Sequence, residues 1–353
     1  MHGGGRTGRW WTIAASGLVA LFLAAPVQAA GPLDLLKGPG KPGPGAGPPP
    51  SERPPGDGSV RITGTTYYVS PSGSDANNGK NARKAWRTVA RVNQAALRPG
   101  DGVLFEAEAT FADAPLMPPL SGSPGAPIVY GAYGGGAAAL PLGVWFRDLD
   151  DLAFRDLALQ DVLQGHGHRV TVQRVSVIGA DIGVYAEGDD WLVEGAHVQA
   201  IGDSGMIFIG ARPTIRGSTI VDTGLDTSIP YGRHGIYLKA SGGRVVGNTI
   251  RNFASNGVSV RDRDSVVEGN TISGGPIGIA WFQHDPLAGI SRWTGNDISK
   301  TTAAGIYVSA EDVAGATRES FEIVKNKVKR ESGRHLDLRP TTGTYRVEGN
   351  ELR

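Results

Sequence analysis

The chain has 353 residues, room for one solenoid or two ordinary domains, and its 53 glycines and 23 prolines follow no Gly-X-Y period, which excludes collagen. Its 35 Lys and Arg against 34 Asp and Glu leave no global basic field for nucleic acid. The absence of cysteine excludes disulfides, a thiolate metal site, a Cys nucleophile and a lipoprotein anchor.

In chain order, Arg6 and Arg9 precede an apolar stretch from Ile13 to Val27, and Val27-Gln28-Ala29 offers short side chains to a signal peptidase. Residues 1–29 are therefore expected to be a signal peptide cleaved after Ala29, giving a secreted or periplasmic protein with no membrane attachment after cleavage. Residues 30–60 are Pro/Gly-rich, with Gly38-Pro39-Gly40 and Pro48-Pro49-Pro50, and read as a disordered linker.

Residues 61–139 read as an N-terminal cap and first coil. Thr66-Tyr67-Tyr68-Val69 is a strand signal, and Pro71 to Gly79 is turn-rich. Ala85 to Leu97 places Trp86, Val89, Val92 and Ala96 at helical spacing, stopped by Arg98-Pro99-Gly100-Asp101. Val103-Leu104-Phe105 is the next strand. Such a segment would plug the open end of a solenoid.

The rest, residues 140–353, is repetitive. Gly247-Asn248-Thr249-Ile250 returns as Gly269-Asn270-Thr271-Ile272 and Gly295-Asn296-Asp297-Ile298, loosely as Lys325-Asn326-Lys327-Val328, and finally as Gly349-Asn350-Glu351-Leu352. The asparagines lie 22, 26, 30 and 24 residues apart, a solenoid period. Stacked asparagines at one turn would satisfy buried backbone groups along the axis. Between these phrases runs a second element, a Gly followed by alternating apolar residues: Gly183-Val184-Tyr185, Gly205-Met206-Ile207, Gly235-Ile236-Tyr237, Gly257-Val258-Ser259, Gly278-Ile279-Ala280 and Gly305-Ile306-Tyr307. Nine or ten coils follow from the repeat.

Tyr67-Tyr68-Val69-Ser70-Pro71-Ser72-Gly73-Ser74-Asp75, Asn78-Gly79, Trp86-Arg87-Thr88, Arg98-Pro99-Gly100-Asp101 and Ser121-Gly122-Ser123-Pro124-Gly125-Ala126-Pro127-Ile128 resemble the opening of bacterial right-handed parallel β-helix proteins of the pectate-lyase-like superfamily. The resemblance covers most of the chain after residue 65. It implies an all-β, right-handed parallel β-helix, and a superfamily that includes lyases, epimerases, hydrolases and proteins without known activity.

In such a fold, equivalent residues on successive coils stand about 4.8 Å apart. Aligned on their glycines, the first and third residues of each strand point inward and the second and fourth outward. The second positions read Tyr185, Ile207, Tyr237, Ser259, Ala280 and Tyr307; the fourth read Glu187, Ile209, Lys239, Arg261, Phe282 and Ser309. This alignment places Trp281 inward and Phe282 outward, but an insertion at Pro276 leaves either of them open as the exposed aromatic. His234 precedes one glycine, and Arg263, His284 and Glu311 follow two residues past the fourth position.

The cluster suits an acidic polysaccharide. Proton abstraction beside a uronate carboxylate needs a positive group or metal to hold the carboxylate and a base to reach C5. Lys239 is the candidate base, because a neighbouring cation favours a lysine's neutral form. Arg261 or Arg263 is the carboxylate clamp, His234 or His284 the acid, and Tyr237, Tyr307 and Phe282 line the groove. The expected function is lyase-type β-elimination on a uronate-containing polymer by a monomeric protein. The alternatives are a C5-epimerase and a non-catalytic carbohydrate-binding or cell-surface protein.

Gln283-His284-Asp285-Pro286 holds the residue types of the Asp-Pro-His-Asp motif of alginate C5-epimerases in another order, and the polygalacturonase motifs are absent. Calcium is the candidate cofactor, with Asp222, Asp226, Asp262 and Asp264 as oxygen donors and no fixed ligand set. Gly165-His166-Gly167-His168 is read as a loop rather than a metal site.

Overall fold

A computed structural model describes residues 60–230, 232–282, 288–309, 318–339 and 343–353. The expected signal peptide and most of the linker lie outside the described residues. Each coil contains three short parallel strands. The first belongs to a 12-stranded sheet, here sheet I, running from Thr66–Val69 through Gly102–Glu106 and Ile128–Tyr133 to Tyr345–Glu348. The second and third belong to a 17-stranded sheet that bends at a corner. Its face after the asparagine turn, sheet II, starts at Ala138–Leu140; its face after the glycine, sheet III, starts at Val144–Arg147. Two long strands, Thr271–Phe282 and Asp297–Ser309, run through the corner.

Sheet I already stacks from Thr66 through Gly102–Glu106 and Ile128–Tyr133, and the three-sheet coil starts near residue 140. The expected helix from Ala85 to Leu97 is shorter, Val89–Asn93. Trp86 is taken by an extended segment: its N–H donates to Tyr68 O, and its carbonyl accepts from Ser70 N–H. Thr88 then caps the helix, its side chain accepting from Arg91 N–H. Val89 and Val92 are fully buried with Val103 and Phe105, so this segment does close the end of the core.

The Gly-Asn phrase is the hinge between sheets I and II. Gly247, Gly269, Gly295 and Gly349 have φ of 64°, 63°, 63° and 63°, where a side chain is disfavoured. Lys325 adopts φ 56° in the same place. The asparagine that follows is buried and linked to the next coil. Asn248 Nδ2 donates to Asn270 Oδ1 at 3.0 Å and to Ile215 O at 3.0 Å, while Asn270 Oδ1 also accepts Asn248 N–H at 2.8 Å. The pattern repeats through Asn296, Asn326 and Asn350. Ser218 extends it at the N-terminal end, donating its N–H to Asn248 Oδ1. The asparagines are scaffold.

The glycine before each sheet III strand is required by close approach at the II/III corner. A Cβ on Gly235 would stand 2.5 Å from Ile250 Cγ2 and 2.6 Å from Gly257 O; one on Gly257 would meet Ile272 and Gly278 likewise. The strands after it alternate as expected: Ile236, Leu238, Val258, Val260, Ile306 and Val308 are fully buried.

Asn270→Ala would leave Asn248 N–H and Val245 O without their partners. Each orphaned buried group costs about 1–3 kcal/mol. Chemical denaturation is expected to show a loss of about 3 kcal/mol or more, well above the effect of an exposed strand substitution such as Lys327→Ala.

Candidate functional site

The outward columns of sheet III follow the glycine alignment. Cross-coil pairing runs Tyr185, Ile207, Tyr237, Ser259, Ala280 and Tyr307 at the second position. At the fourth position Glu187 pairs with Ile209, Ile209 with Lys239, and Phe282 with Ser309. Arg261 N–H donates to Leu238 O, which sets Arg261 beside Lys239. The pairing shifts between Gly275 and Ile277, where two steps match three from Thr301 to Ala304, and beyond the shift the register holds. Trp281 is fully buried and Phe282 is outward and half-buried.

The structure brings together Tyr237, Lys239, Arg261, Phe282 and Tyr307. The Arg261 guanidinium carbon lies 4.3 Å from the Phe282 ring centroid and 5.7 Å from that of Tyr237. Tyr307 continues the strip, its ring 5.2 Å from Phe282. Rings on the neighbouring coils fix the plane of the Arg261 guanidinium by cation–π contact. Lys239 is exposed and makes no ion pair or side-chain hydrogen bond among the described residues. Ser259, below this strip, is fully buried, and its hydroxyl has no partner among the described residues.

His234 is the least surface-like member of the cluster. It is buried, stacks on Tyr237 with ring centroids 5.6 Å apart, and accepts Asn256 N–H at Nδ1 at 3.3 Å. Burial pushes its pKa down to about 3, with the charge of Arg261 adding. The ring is therefore neutral at ordinary pH, with its proton on Nε2. It sets the plane of Tyr237 and does not present a cationic acid. No local signal in the sequence announces this, because a histidine before a glycine reads as a turn residue.

Arg263 is exposed on the turn toward sheet I, its Nε 3.9 Å from Asp264 Oδ2 and apart from the aromatic strip. His284 and Glu311 lie outside the described residues. The candidate calcium donors divide between two turns. Asp222, within the sheet II strand Thr219–Thr223, accepts from Asn252 Nδ2, and Asp226, on the turn that follows, accepts from Ser228; Asp262 and Asp264 lie on the turn between III and I, where Asp264 accepts Ile290 N–H. Among the described residues no three His, Asp or Glu side chains converge as a metal site. His166 and His168 also part: His166 Nδ1 lies 2.6 Å from Asp148 Oδ1, and His168 Nδ1 accepts Asp189 N–H.

Sequence reasoning missed one carboxyl. Glu319, fully buried at the start of a sheet I strand, accepts from Ser291 Oγ at 2.7 Å and Asp264 N–H at 3.1 Å. Burial pushes its pKa up, and the nearby Asp264 and Asp262 charges add to the rise. Fifty-five residues separate it from Asp264, so only the coil geometry brings them together.

Residues 162–313 match the family model described as a right handed beta helix region. A lacto-N-biosidase of Bifidobacterium longum subsp. longum is 33% identical over 150 residues, which cover 36% of this chain and 9% of that protein. The chain thus spans less than a tenth of the length of this curated relative. The crystal structure of a GH136 lacto-N-biosidase from Eubacterium ramulus matches with a TM-score of 0.59 and 15% identity, over 82% of this chain and 68% of that one. Pectate lyase Pel9A matches with a TM-score of 0.53 and 16% identity, over 80% of each chain. The A-module of an Azotobacter vinelandii mannuronan C-5 epimerase matches with a TM-score of 0.51 and 13% identity, over 82% and 91%. At these identities the structural likeness is one of fold.

The shift of His234 has a measurable consequence. Its folded pKa lies below the unfolded value of about 6.5, so its contribution to stability is complete above pH 6.5 and is lost as pH falls toward 3. At pH 5 the loss from this group is expected to be about 2 kcal/mol relative to pH 7. Denaturation at both pH values should show it, and His234→Asn, which keeps an acceptor for Asn256 N–H, should remove that part of the slope.

Proposed function

We propose that this chain, a right-handed parallel β-helix of the pectate-lyase-like superfamily, is an exported carbohydrate-active enzyme that performs lyase-type β-elimination on a uronate-containing polysaccharide. The observation that carries the reading is the cation pair on sheet III: Lys239, exposed and unpaired among the described residues, stands one coil from Arg261, which Tyr237 and Phe282 hold from both sides. Among the described residues of the fourth-position column, the acidic side chain nearest Lys239 is Glu187, two coils away. A face of this kind favours a carboxylate-bearing ligand.

Arg261 takes the uronate carboxylate, so that charge developing as C5 loses its proton is drawn toward a fixed cation. Lys239 in its neutral form accepts the C5 proton. The electron pair of the C5–H bond forms the C4–C5 double bond, and the C4–O bond breaks. The lysine ammonium then returns the proton to the departing oxygen. Tyr237, Phe282 and Tyr307 provide faces for the sugar rings. His234 holds Tyr237 and carries no charge.

A hydrolase is the second reading, favoured by the partial match to lacto-N-biosidases and by Glu319 beside Asp264. Glycoside hydrolysis uses one protonated and one ionised carboxyl. Glu319 is fully buried, however, and the cation pair is the exposed chemistry.

Incubation with a panel of uronate polymers, followed by absorbance of the unsaturated product, tests the reading. Product is expected with the wild type, and Lys239→Ala should lower its rate by about 100-fold or more with the fold intact. New reducing ends without unsaturated product would replace the lyase with the hydrolase. Solvent deuterium at C5 without cleavage would replace it with the epimerase.

A further inference from the structure

The outward columns of sheet III do not stop at Tyr185. Pairing continues toward the N-terminus, Tyr185 to Gln164 to Trp145 at the second position, and Glu187 to His166 to Arg147 at the fourth. Three successive coils thus present a second polar and aromatic patch on the same face. Its character differs from that of the first. Trp145 is 37% exposed although large and apolar. Gln164 is half-buried, and its amide makes no hydrogen bond among the described residues. Tyr185 donates its hydroxyl to Glu187 Oε1 at 2.6 Å; burial and this bond push its pKa up to about 12. The phenol therefore stays protonated and fixes one carboxylate oxygen, leaving the other for a ligand hydroxyl. His166 stands between Glu187 and Arg147 in its column, with its Nδ1 2.6 Å from Asp148 Oδ1.

The backbone is shaped to expose these groups. Gly165 alternates between the two outward residues Gln164 and His166, and a Cβ there would collide with the Phe146 ring below. Phe146 in turn stacks between Phe154 and Trp191 at 5.6 and 5.9 Å. The patch rests on a stacked aromatic floor.

Its distance from the first site is set by the strand spacing. Tyr185 and Tyr237 are separated by the single coil of Ile207 and Ile209, so they stand two coils apart, about 9.5 Å at the usual spacing. Trp145 and Tyr185 are also two coils apart. Aromatic residues recur along one column at a step comparable to a disaccharide. A surface of this kind can seat successive units of one extended glycan.

We infer that Trp145, Gln164, His166, Tyr185 and Glu187 form a second sugar-binding subsite, selective for a neutral sugar unit of the same glycan whose acidic unit lies at Lys239 and Arg261. The inference rests on the reading of sheet III as a glycan face and adds the substrate class: a chain mixing neutral and uronate units. Glu187 gives this selectivity. Its carboxylate accepts sugar hydroxyls and disfavours a uronate beside it, while Arg147 stands two coils away at the far end of the patch; Lys239 and Arg261 instead attract a carboxylate. The amide of Gln164 and the Glu187 oxygen supply the polar contacts, and Trp145 supplies a ring face.

The test is binding rather than turnover. Wild type, Trp145→Ala/Glu187→Gln and Lys239→Ala are titrated calorimetrically with three probes: neutral xylo-oligosaccharides, oligogalacturonates, and glucuronate-bearing xylo-oligosaccharides. They are also applied to an array of neutral, acidic and mixed glycans. Thermal melts control for folding. Wild type is expected to prefer mixed glycans over both homopolymers. The double variant should lose at least tenfold in affinity for mixed glycans and keep its affinity for short acidic ones. Lys239→Ala should lose both. If the double variant binds mixed glycans as the wild type does while Lys239→Ala does not, the second subsite is wrong and the first site stands. If only the double variant loses binding, the Lys239 site is wrong. If wild type binds no glycan on the array, both fall.

Discussion

The outward face of sheet III depends on the in-register hydrogen bonding of parallel strands between coils. It converts residues about two dozen positions apart in the chain into neighbours at one strand spacing. Two devices keep the register. The buried asparagine ladder ties each I/II turn to the next, through both side-chain and backbone groups. The glycines before sheet III let the corner close against the isoleucine of the next coil. A slip of one residue in any coil would turn its outward pair into the core. The site is therefore a property of the stack, and no single coil contains it.

The same constraint explains how charge is distributed along sheet III. Its interior positions are mostly apolar, so chemical variety is concentrated in the two outward columns. One stretch carries Lys239 and Arg261 with aromatic rings; another carries Glu187, His166 and Gln164 with Trp145 and Tyr185. Ile207 and Ile209 separate them by one apolar coil. Polar groups outside the columns are absorbed by the structure: Asp222 and Asp264 accept from strand residues Asn252 and Ile290, Asp226 accepts from Ser228 in its own turn, and His234 is buried beneath Tyr237.

Much of this is legible in the sequence because a parallel β-helix states its register in repeated residues. The Gly-aligned columns from Tyr185 to Tyr307 are those of the structure, with Trp281 inward and Phe282 outward as the alignment places them. What escapes reading has physical causes. The coil of Gln164 and His166 is hidden because Val162 stands where the alignment expects a glycine, and this interruption separates Gly143-Val144-Trp145 from the later repeats. The cap helix is shorter than its apolar spacing implies because Trp86 pairs with a strand instead. The burial of His234 and the meeting of Glu319 with Asp264 are tertiary facts with no local signal.

The central claim, that the outward face of sheet III is the carbohydrate site, is tested most directly by lysine footprinting. Acetylation rates of exposed lysines are compared with and without a saturating acidic oligosaccharide. Lys239 is expected to be protected, while Lys300 and Lys329, on strands of sheet II, react unchanged. Equal labelling of Lys239 in both conditions, with the glycan demonstrably bound, would contradict the account.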